Sequence, residues 1–561
     1  MKMTGAQIIV ETLIEQGVDT VFGYPGGQVL NIYDELYKNS DRLKHVLAAH
    51  EQGASHAADG YARATGKVGV VIATSGPGAT NLVTGIATAM LDSVPMVAIT
   101  GNVPCELIGR DSFQEIDITG ITLPITKHNY FVQSADELAD VIREAFQIAK
   151  SGRPGPVLID VPKDVQISLG EYTKADIVKC FENKLADDES INRAVELLTE
   201  CKKPYIYIGG GVISAGIAKE IEKFADKIDA VIGASLMGLS AIPTDNKRFL
   251  GMQGMHGHYT SSMAQHHADL IFAIGVRFSD RATGNKKKYA KNAKIIHLDI
   301  DFSEINKNIP AVVGVCGDIK DAFAKIASKT PKAKRPEWIE HVEKLREKEY
   351  SRYIKSDKLT PKNLIDTINE NINPDTVIAT DVGQHQMWAA QYCNFKQSRK
   401  FISSGGLGTM GFGMGAAIGA AFGSKARAVL ITGDGSFGMN LNEMATAVSS
   451  QVPLTIVIFN NGVLGMVRQW QTLFFNKHYS STTLNRKTDF VKLAEAFGAQ
   501  GMRVSTVSEF KDAFLKAYSV NGPVIIDCEI DCDEFVLPML PPGGSIDDII
   551  IDDKNVAKGD K

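Results

Sequence analysis

The sequence has no pair of cysteines in a Cys-x-x-Cys arrangement, although it contains seven cysteines in 561 residues. The nearest neighbours are Cys528 and Cys532. An odd and scattered set of this kind is not a disulfide framework, which excludes the class of small secreted domains held together by disulfides. The cysteines are therefore predicted to be reduced thiols in a cytoplasm-like compartment.

Blocks of Lys and Arg are also lacking, and the formal net charge is −5, so the chain offers no basic face to nucleic acid. No apolar run reaches the length of a membrane span. Neither a cleavable apolar core nor a transit segment precedes the first predicted helix, which begins with a capping box of Thr4 and Gln7. The sequence predicts a soluble cytoplasmic protein that binds neither nucleic acid nor membrane.

What the sequence has in quantity is short β-branched runs that end in Gly, Asp or Asn, such as "GPVLIDVPKD", "DLIFAIGVRFSD" and "AVLITGDG". Helical patterns lie between these runs. Continuous apolar strands that alternate with helices are typical of doubly wound parallel sheets, the α/β class. In such sheets ligands bind at the carboxyl ends of the strands, which is where the Gly, Asp and Asn residues fall.

Two polar stretches divide the chain into three predicted doubly wound domains. "VVIATSGPGATN" resembles "AVLITGDGSFGMN", and "RPGPVLIDVPKD" resembles "VNGPVIIDCEID", so two related domains are expected to flank a different one. The predicted boundaries are 1–165 for the first domain, 166–190 for a linker, 191–330 for the central domain, 331–360 for a second linker, 361–540 for the third domain and 541–561 for a tail.

The stretch from Gly433 to Asn461 begins with Gly-x-Gly-x-x-Gly, the pattern of a dinucleotide-binding turn. Its second residue, however, is Asp434, and the next strand ends in Asn460 and Asn461 instead of a ribose-binding acid. A carboxylate repels a pyrophosphate unless a cation lies between them, and Mg²⁺ takes one or two protein oxygens together with phosphate oxygens. The stretch therefore predicts a metal–diphosphate clamp, with a helix that begins near Gly438 facing the phosphates.

A capped turn is the alternative interpretation, because Asp and Asn favour turns. A further glycine pattern in "GGLGTMG" shows how common such spacings are. The combination of Gly-Asp-Gly, a helix, a buried strand and Asn-Asn favours the clamp.

The same combination is the signature of thiamine-diphosphate-binding enzymes, and the chain resembles the catalytic large subunits of the acetohydroxyacid (acetolactate) synthase family from end to end. The phrases that carry the resemblance are "GYPGG", "HEQGASHAADGYARATGKVGVVIATSGPGATN", "FQE", "RPGPVLIDVPKDV", "GMHG", "RFSDRATG", "HLDID", "GGLGTMGFG", "GMVRQWQ" and "PMLPPGG". The presence of "RFSDR" favours the biosynthetic, FAD-containing type over the fermentative type.

The resemblance implies that Glu51 hydrogen-bonds N1′ of the cofactor's aminopyrimidine ring. A deeply buried carboxyl group that shares its proton with the ring would favour the imino form, whose N4′ then acts as a base. Gln114 and Lys163 match residues near the substrate channel. Glu51 is implied to come from one subunit and Asp434 with Asn461 from another, so a homodimer or homotetramer is expected.

The resemblance assigns the remaining candidate residues by position. For Mg²⁺ they are Asp434, Asn461 and the backbone carbonyl of Val463, and for substrate they are Phe113, Met466 and Trp470. For thiamine diphosphate they are Gly27, Glu51, Pro77, Gly78, Met410, Gly433, Gly435, Ser436 and Met466. For FAD they are Arg153, Gly210, Gly211, Met255, His256, Arg277, Asp299 and Asp318.

Several of these residues have a plainer interpretation when the resemblance is set aside. Met410 reads as a packing methionine, Lys163 as a solvated lysine, His256 as a turn residue and Trp470 as half-buried packing. With the resemblance, Met410 is implied to hold the cofactor in a bent conformation and Trp470 to favour 2-oxobutanoate as acceptor.

The implied activity is decarboxylation of pyruvate and condensation of the two-carbon fragment with a second 2-oxo acid, pyruvate or 2-oxobutanoate. This is the first common step of branched-chain amino-acid biosynthesis. A small regulatory subunit and closure of the tail over the site are implied as well. A flavin-dependent pyruvate oxidase and a non-catalytic nucleotide- or partner-binding protein remain alternatives. Sulfoacetaldehyde acetyltransferase and glyoxylate carboligase are less favoured, and the latter lacks the glutamate seen as Glu51.

Overall fold

A computed structural model of the chain describes residues 1–177, 179, 181–350 and 358–552. It contains three six-stranded sheets, and neighbouring strands run parallel in each of them. Each sheet lies between two clusters of buried apolar side chains, so helices cover both faces. The prediction of three doubly wound α/β sheets is confirmed.

The first domain opens with the capping box predicted at Thr4 and Gln7. Its strands are β1 (Lys2–Thr4), β2 (Thr20–Tyr24), β3 (Lys44–Leu47), β4 (Gly69–Ala73), β5 (Met96–Asn102), β6 (His128–Phe131), β7 (Pro156–Pro162) and β8 (Leu169–Glu171). Its helices are α1 (Gly5–Glu15), α2 (Leu30–Lys38), α3 (Glu51–Thr65), α4 (Pro77–Thr80), α5 (Val83–Asp92), α6 (Ile118–Thr122), α7 (Leu138–Lys150) and α8 (Lys163–Ile167).

The central domain and the helix that follows it run from α9 to α15. The strands are β9 (Pro204–Ile208), β10 (Val231–Ala234), β11 (Phe249–Met252), β12 (Leu270–Ile274), β13 (Lys294–Asp299) and β14 (Val313–Cys316). The helices are α9 (Asp188–Glu200), α10 (Gly210–Ala215), α11 (Ala218–Ile228), α12 (Tyr259–His267), α13 (Asp280–Thr283), α14 (Ile319–Lys329) and α15 (Pro336–Tyr350).

The third domain repeats the alternation of strands and helices. Its strands are β15 (Val377–Thr380), β16 (Phe401–Ile402), β17 (Ala428–Gly433), β18 (Leu454–Asn460), β19 (Gln500–Val504) and β20 (Pro523–Glu529). Its helices are α16 (Pro361–Asn371), α17 (Gln384–Tyr392), α18 (Phe412–Ser424), α19 (Asp434–Phe437), α20 (Met444–Ser449), α21 (Gly465–Phe474), α22 (Phe490–Ala496) and α23 (Val507–Ser519).

Strand order distinguishes the central sheet from the other two. The first sheet has the order β3-β2-β4-β5-β7-β6, and the third sheet, β16-β15-β17-β18-β20-β19, repeats that permutation. The central sheet, β11-β10-β9-β12-β13-β14, has instead the order of dinucleotide-binding folds. Two related domains therefore flank a different one, as the repeated phrases predicted. The order reverses beside β2, β9 and β15, and ligand crevices are expected there.

The stretches predicted as linkers contain regular structure. β8 returns to pair antiparallel with β1, and α9 begins inside the first stretch. In the second stretch, α15 packs on the central domain through buried Trp338, whose Nε1 donates to the carbonyl oxygen of Pro204 at 3.1 Å. A three-residue strand and a highly charged helix carry little apolar periodicity, which is why the sequence pattern did not predict them. The exact domain boundaries stay predictions.

The tail folds back onto the central domain. The N–H of Leu540 donates to the carbonyl oxygen of Met255 at 2.7 Å, and that of Asn285 donates to the carbonyl oxygen of Gly544 at 3.0 Å. Met539 and Ile550 form an antiparallel bridge. Residues 553–561 lie outside the described residues, and closure of the tail over a substrate stays a prediction.

The first and third domains meet where α3 crosses α18. A Cβ atom at Gly60 would overlap the backbone of Ala416, and one at Gly419 would overlap the carbonyl oxygen of Ala57. The two helices are therefore in direct backbone contact, which only glycine permits at these positions.

Two properties of the described part of the chain concern its cysteines and its apolar helices. The six cysteines within it are free thiols. None of its helices combines the length and the apolar character needed to cross a lipid bilayer.

Candidate active site

The predicted residues of the first domain lie at one edge of the first sheet, after the carboxyl ends of its strands. Gly27 follows β2 as an exposed turn residue, Glu51 follows β3, and Pro77 and Gly78 follow β4. Lys163 follows β7 as the first residue of α8 and is partly exposed. The parallel sheet thus brings together residues that are far apart in the sequence.

Glu51 is the first residue of α3, and its carboxylate accepts a hydrogen bond from Nδ2 of Asn81 at 2.9 Å. A Cβ atom at Gly78 would lie 3.2 Å from Oε1 of Glu51, so the glycine leaves room beside the carboxylate. The side chain is only partly buried in the single chain, which falls short of the deep burial that the proton-sharing hypothesis requires. That hypothesis therefore requires a further surface to cover the Glu51 side chain.

Gln114 lies against the same turn. Its Cβ would be 2.9 Å from a Cβ atom at Gly76, and its backbone has a φ of 60°, in the region that favours glycine. A non-glycine residue held there is a strained feature of the kind found at functional sites. The neighbouring side chain of Phe113 is 85% exposed.

The third domain places Asp434 and Asn461 together at the ends of β17 and β18. The backbone groups of Asn461 and Gly462 lie against the Asp434 carboxylate. Burial raises the pKa of Asp434 to about 6, and these backbone contacts oppose the rise. Oδ1 of Asn461 accepts the N–H of Val463 at 3.1 Å. The arrangement brings a carboxylate and an amide oxygen to one edge of the sheet, and both are donor types that Mg²⁺ prefers.

The turn that follows β17 is tighter than the sequence predicted. Its helix, α19, begins at Asp434, and Gly438 is the residue that ends it, so the expectation of a helix starting near Gly438 is wrong. Asp and Gly residues in succession gave no clear start signal. Oγ of Ser436 donates to the carbonyl oxygen of Val382 at 2.7 Å, and a Cβ atom at Gly435 would contact Leu464. The ends of β15, β17 and β18 thus form one continuous surface.

Met410 is partly exposed and directly precedes the left-handed Gly411 that caps α18. The carboxylate of Asp381 accepts the N–H of Gly411 at 2.8 Å. Burial raises the pKa of Asp381 to about 6, opposed by the hydrogen bonds from Gly411, Val382 and Gly413. The methionine is thereby held at the crevice where the strand order reverses.

The predicted substrate residues of the third domain lie on α21. Met466 packs partly against the core, and Trp470 stacks edge-on with Phe474 at 5.7 Å between ring centroids. The guanidinium of Arg281, from the central domain, lies 5.5 Å from the Trp470 ring centroid, a cation–π distance. Trp470 therefore faces the central domain and is not packing alone.

The central sheet brings together most of the residues predicted for FAD. Gly210 and Gly211 follow β9, and a Cβ atom at Gly211 would lie 2.7 Å from Cα of Gly275, which follows β12. This close approach marks the crevice where the order of the sheet reverses. Arg277 reaches from there to the first domain, where it donates to the carbonyl oxygen of Leu91.

The other predicted FAD residues surround this crevice at the ends of the remaining strands. Met255 and His256 follow β11 and are buried, Asp299 ends β13, and Asp318 caps α14 after β14. Burial lowers the pKa of His256 to about 4. Arg153, from the first domain, donates to Oε1 of Glu304 at 2.8 Å.

The two halves of the predicted thiamine site lie on separate domains of one chain. In the described part of the chain, Glu51 forms no hydrogen bond with the Asp434 turn.

Three family models match the chain in succession. They are the N-terminal TPP binding domain of thiamine pyrophosphate enzymes at residues 3–121, the central domain of these enzymes at residues 191–326 and the C-terminal TPP binding domain at residues 381–528. The acetolactate synthase large subunit of Corynebacterium glutamicum is 45% identical and covers 98% of this chain and 90% of its own length. That of Buchnera aphidicola subsp. Schizaphis graminum is 42% identical over 99% of this chain and 100% of its own.

The chain belongs to the acetolactate synthase large-subunit family.

A chain of the acetolactate synthase family with TPP binding domains is expected to hold a diphosphate, and one part of the third domain has suitable groups. His385 is buried, its pKa is lowered to about 3 by that burial, and its Nε2 has no hydrogen-bond partner among the described residues. A Cβ atom at Gly433 would lie 2.9 Å from Nδ1 of this ring. The amino terminus of α17 lies beside it, with Oε1 of Gln384 3.5 Å from Nδ2 of Asn461. An unpartnered imidazole and a helix amino terminus fit an anion next to a metal.

Two residues that the sequence reasoning missed lie beside the predicted site residues. Asn81 donates a hydrogen bond to Glu51, and the ring of His385 lies against Gly433. Asn81 stood within a quoted motif but carries no chemistry of its own. His385 follows β15, and the rule that ligands bind where the strand order reverses points to that position.

Proposed function

We propose that the chain is the catalytic subunit of an acetolactate synthase. It decarboxylates pyruvate and joins the two-carbon fragment to a second 2-oxo acid, giving 2-acetolactate or 2-aceto-2-hydroxybutanoate. The observation that carries this proposal is the 42% to 45% identity over nearly the whole chain with acetolactate synthase large subunits. Glu51, Asp434 and Asn461 lie at strand ends where such a reaction needs them.

Thiamine diphosphate, when bound, supplies a carbon nucleophile for the 2-oxo acid carbonyl and a ring that accepts the electrons left by carbon dioxide. Glu51 would exchange a proton with the ring nitrogen, and Asn81 would keep the Glu51 carboxyl group oriented through its hydrogen bond. The residues of the chain would thus transfer a proton at one fixed atom of the ring.

Asp434 and Asn461 would hold Mg²⁺ against the diphosphate, together with the backbone carbonyl of Val463. The buried Asp434 carboxylate supports this role, since its pKa is raised to about 6 by burial and a bound cation would compensate its charge. His385 and the start of α17 would face the phosphate oxygens from the other side.

The substrate would lie between the two halves, near Gln114 and Lys163 on one side and Met466 and Trp470 on the other. The Lys163 ammonium can attract the carboxylate of a 2-oxo acid. Phe113, Met466 and Trp470 would exclude water from this space once a second copy covers the exposed Phe113.

FAD is the third cofactor that we propose, in the crevice of the central sheet. The close approach of Gly211 and Gly275 would admit a dinucleotide backbone, and Nδ1 of buried His256 has no partner among the described residues. β10 ends at Ala234 without an acidic residue for a ribose, so the usual dinucleotide fingerprint is incomplete. Two pyruvates and one proton yield acetolactate and carbon dioxide, and this balance needs no oxidant.

A homodimer or homotetramer completes the site in this proposal. Large apolar side chains are exposed close to predicted site residues, including Phe113 at 85% and Met439 at 59%. A second copy that covered them would remove this apolar surface from water. A second copy would cover the partly exposed Glu51 with its third domain. A separate small regulatory subunit and a cytoplasmic location complete the proposal.

The test is turnover of pyruvate, with and without 2-oxobutanoate, after thiamine diphosphate, Mg²⁺ and FAD are removed and restored separately. We expect acetolactate and carbon dioxide in equal amounts, and Glu51→Gln should reduce turnover on the order of 10²- to 10⁴-fold while the cofactor still binds. Production of acetate with oxygen uptake would identify a pyruvate oxidase instead. Full turnover by Glu51→Gln would favour a non-catalytic role for this site.

A further inference from the structure

Asp527, in the middle of β20, is fully buried in the third sheet. Its Oδ1 accepts a hydrogen bond from Nδ2 of Asn460 at 2.8 Å, and its Oδ2 accepts one from Nε of Arg503 at 3.0 Å. A buried carboxylate is unfavourable unless it is paired, so both partners matter. The acid therefore ties β18 and β19 to the strand between them.

Asn460 is the last residue of β18 and is held on two sides. Its amide donates to Asp527, and its carbonyl oxygen accepts the N–H of Ile530 at 3.0 Å. The next residue is Asn461, whose backbone lies against the Asp434 carboxylate. The bonds to Asn460 therefore fix the direction in which the chain leaves β18 and enters the metal clamp.

We propose that Asp527 is a positioning residue for the Mg²⁺ site, which it serves through Asn460 by presenting Asn461 to the metal. This inference rests on the proposed function. It gives the two asparagines of the Asn-Asn pair different tasks. The first, Asn460, holds the strand end through its hydrogen bond to Asp527, and the second, Asn461, binds the metal.

The first domain contains the same hydrogen bond between neighbouring strands, but without a predicted metal ligand beside it. Asp160 on β7 accepts hydrogen bonds from Oγ1 of Thr100 at 2.7 Å and Nδ2 of Asn102 at 2.6 Å, in the same register. The residue after Asn102 is Val103, where the third domain has Asn461. This hydrogen bond from an asparagine to a buried aspartate thus occurs in both related sheets. Only in the third domain is the strand end that it holds followed by the proposed metal ligand.

Replacing either acid by alanine removes the acceptor for both of its hydrogen-bond partners. An asparagine would not do so at Asp527, because the amide of Asn460 can turn its oxygen toward the new NH₂ group. Asp527→Ala leaves Asn460 without this partner, whereas Asp160→Ala makes the same change in the sheet whose strand end carries no predicted metal ligand. Asp160→Ala is therefore a matched control.

The experiment measures the Mg²⁺ concentration that gives half-maximal binding of thiamine diphosphate, by calorimetry on the full-length protein. Asp527→Ala should raise this concentration 10- to 100-fold, the usual effect of losing a group that orients a metal ligand. Asp160→Ala should leave it unchanged. FAD affinity should be unchanged in both variants. A purely structural loosening of the protein would instead lower the affinity for both cofactors.

Two further variants keep the inference testable if Asp527→Ala fails to fold. Asn460→Ala must weaken Mg²⁺ binding to the same extent, and Arg503→Gln, which leaves the bond between Asp527 and Asn460 in place, must not. An unchanged Mg²⁺ requirement in Asp527→Ala or in Asn460→Ala overturns the inference, as does an equal loss in Arg503→Gln. If the unmodified protein itself shows no Mg²⁺-dependent binding, the proposed function fails instead.

Discussion

The carboxylate of Glu443, in the third domain, accepts the backbone N–H of His50, in the first domain, at 3.0 Å. The N–H of Ala49 donates to the same carboxylate at 3.3 Å. His50 is the residue that caps α3, directly before Glu51. An acid from one domain thus holds the start of the helix that carries the proposed proton-transfer residue of another.

Replacing Glu443 by Gln should loosen this connection. The amide keeps one acceptor oxygen and turns an NH₂ group toward a backbone donor, so one buried hydrogen bond is lost, at about 1–3 kcal/mol. We expect a lower thermal unfolding midpoint together with a lower kcat for acetolactate formation. Thr446→Val is the control, because its hydroxyl donates to the same carboxylate at 2.6 Å without touching α3. An equal fall of kcat in both variants would count against a specific role at Glu51.

Asn81→Ala tests the hydrogen bond that orients Glu51. A bond to a charged group contributes about 1.5–3 kcal/mol, so kcat should fall roughly tenfold to a hundredfold. Binding of thiamine diphosphate, measured by calorimetry, should change less than the rate does. Thr80→Ala, on the neighbouring exposed position, should have the activity of the unmodified protein. A wild-type kcat for Asn81→Ala would show that Glu51 keeps its orientation without this bond.

Gly419→Ala should destabilise the contact between α3 and α18. The new methyl group would overlap the carbonyl oxygen of Ala57, and overpacking of this kind costs about 1–3 kcal/mol. Ser424→Ala, at the end of the same helix, should change stability by less than about 0.5 kcal/mol, as substitutions at partly exposed positions usually do. Thermal unfolding of both variants checks this. If they unfolded at the same temperature, the helices would be free to separate.

The stability of the protein should depend on pH through Asp160. Burial raises the pKa of Asp160 to about 7 in the folded state, against roughly 3.9 for an unfolded aspartate. The folded state therefore favours the protonated acid, and this contribution is complete below about pH 4 and is lost as the pH rises through about 7.

Asp160→Asn removes this dependence because the amide cannot ionise. Relative to the unmodified protein, the variant should gain free energy of unfolding between pH 5 and pH 8.5, on the order of 1.4 kcal/mol for each pH unit crossed below the folded pKa. Urea unfolding at the two pH values measures it. Parallel stability curves for the two proteins would show that the acid is ionised when folded.

The sequence predicted the strands and their carboxyl ends well, because Asp434 and Asn461 follow long apolar runs whose ends meet at one sheet edge. It also predicted the kinship of the outer domains, since Asp160 and Asp527 stand in repeated phrases. It did not predict β8, which is too short to show an alternating apolar pattern. It also did not predict α15, which has only a narrow stripe of apolar residues. Asn81 and His385 were missed because their roles arise from neighbours that only the fold supplies.

The backbone contact between Gly60 and Ala416 has a consequence for how this enzyme can change. Interfaces built from side chains can be retuned by exchanging one bulky group for another, but here the backbones of the two helices touch directly at the crossing. The crossing therefore sets a fixed distance between the two domains. We expect substitutions that change the proposed acceptor preference to lie in the loop around Phe113 and along α21, where they leave that distance intact.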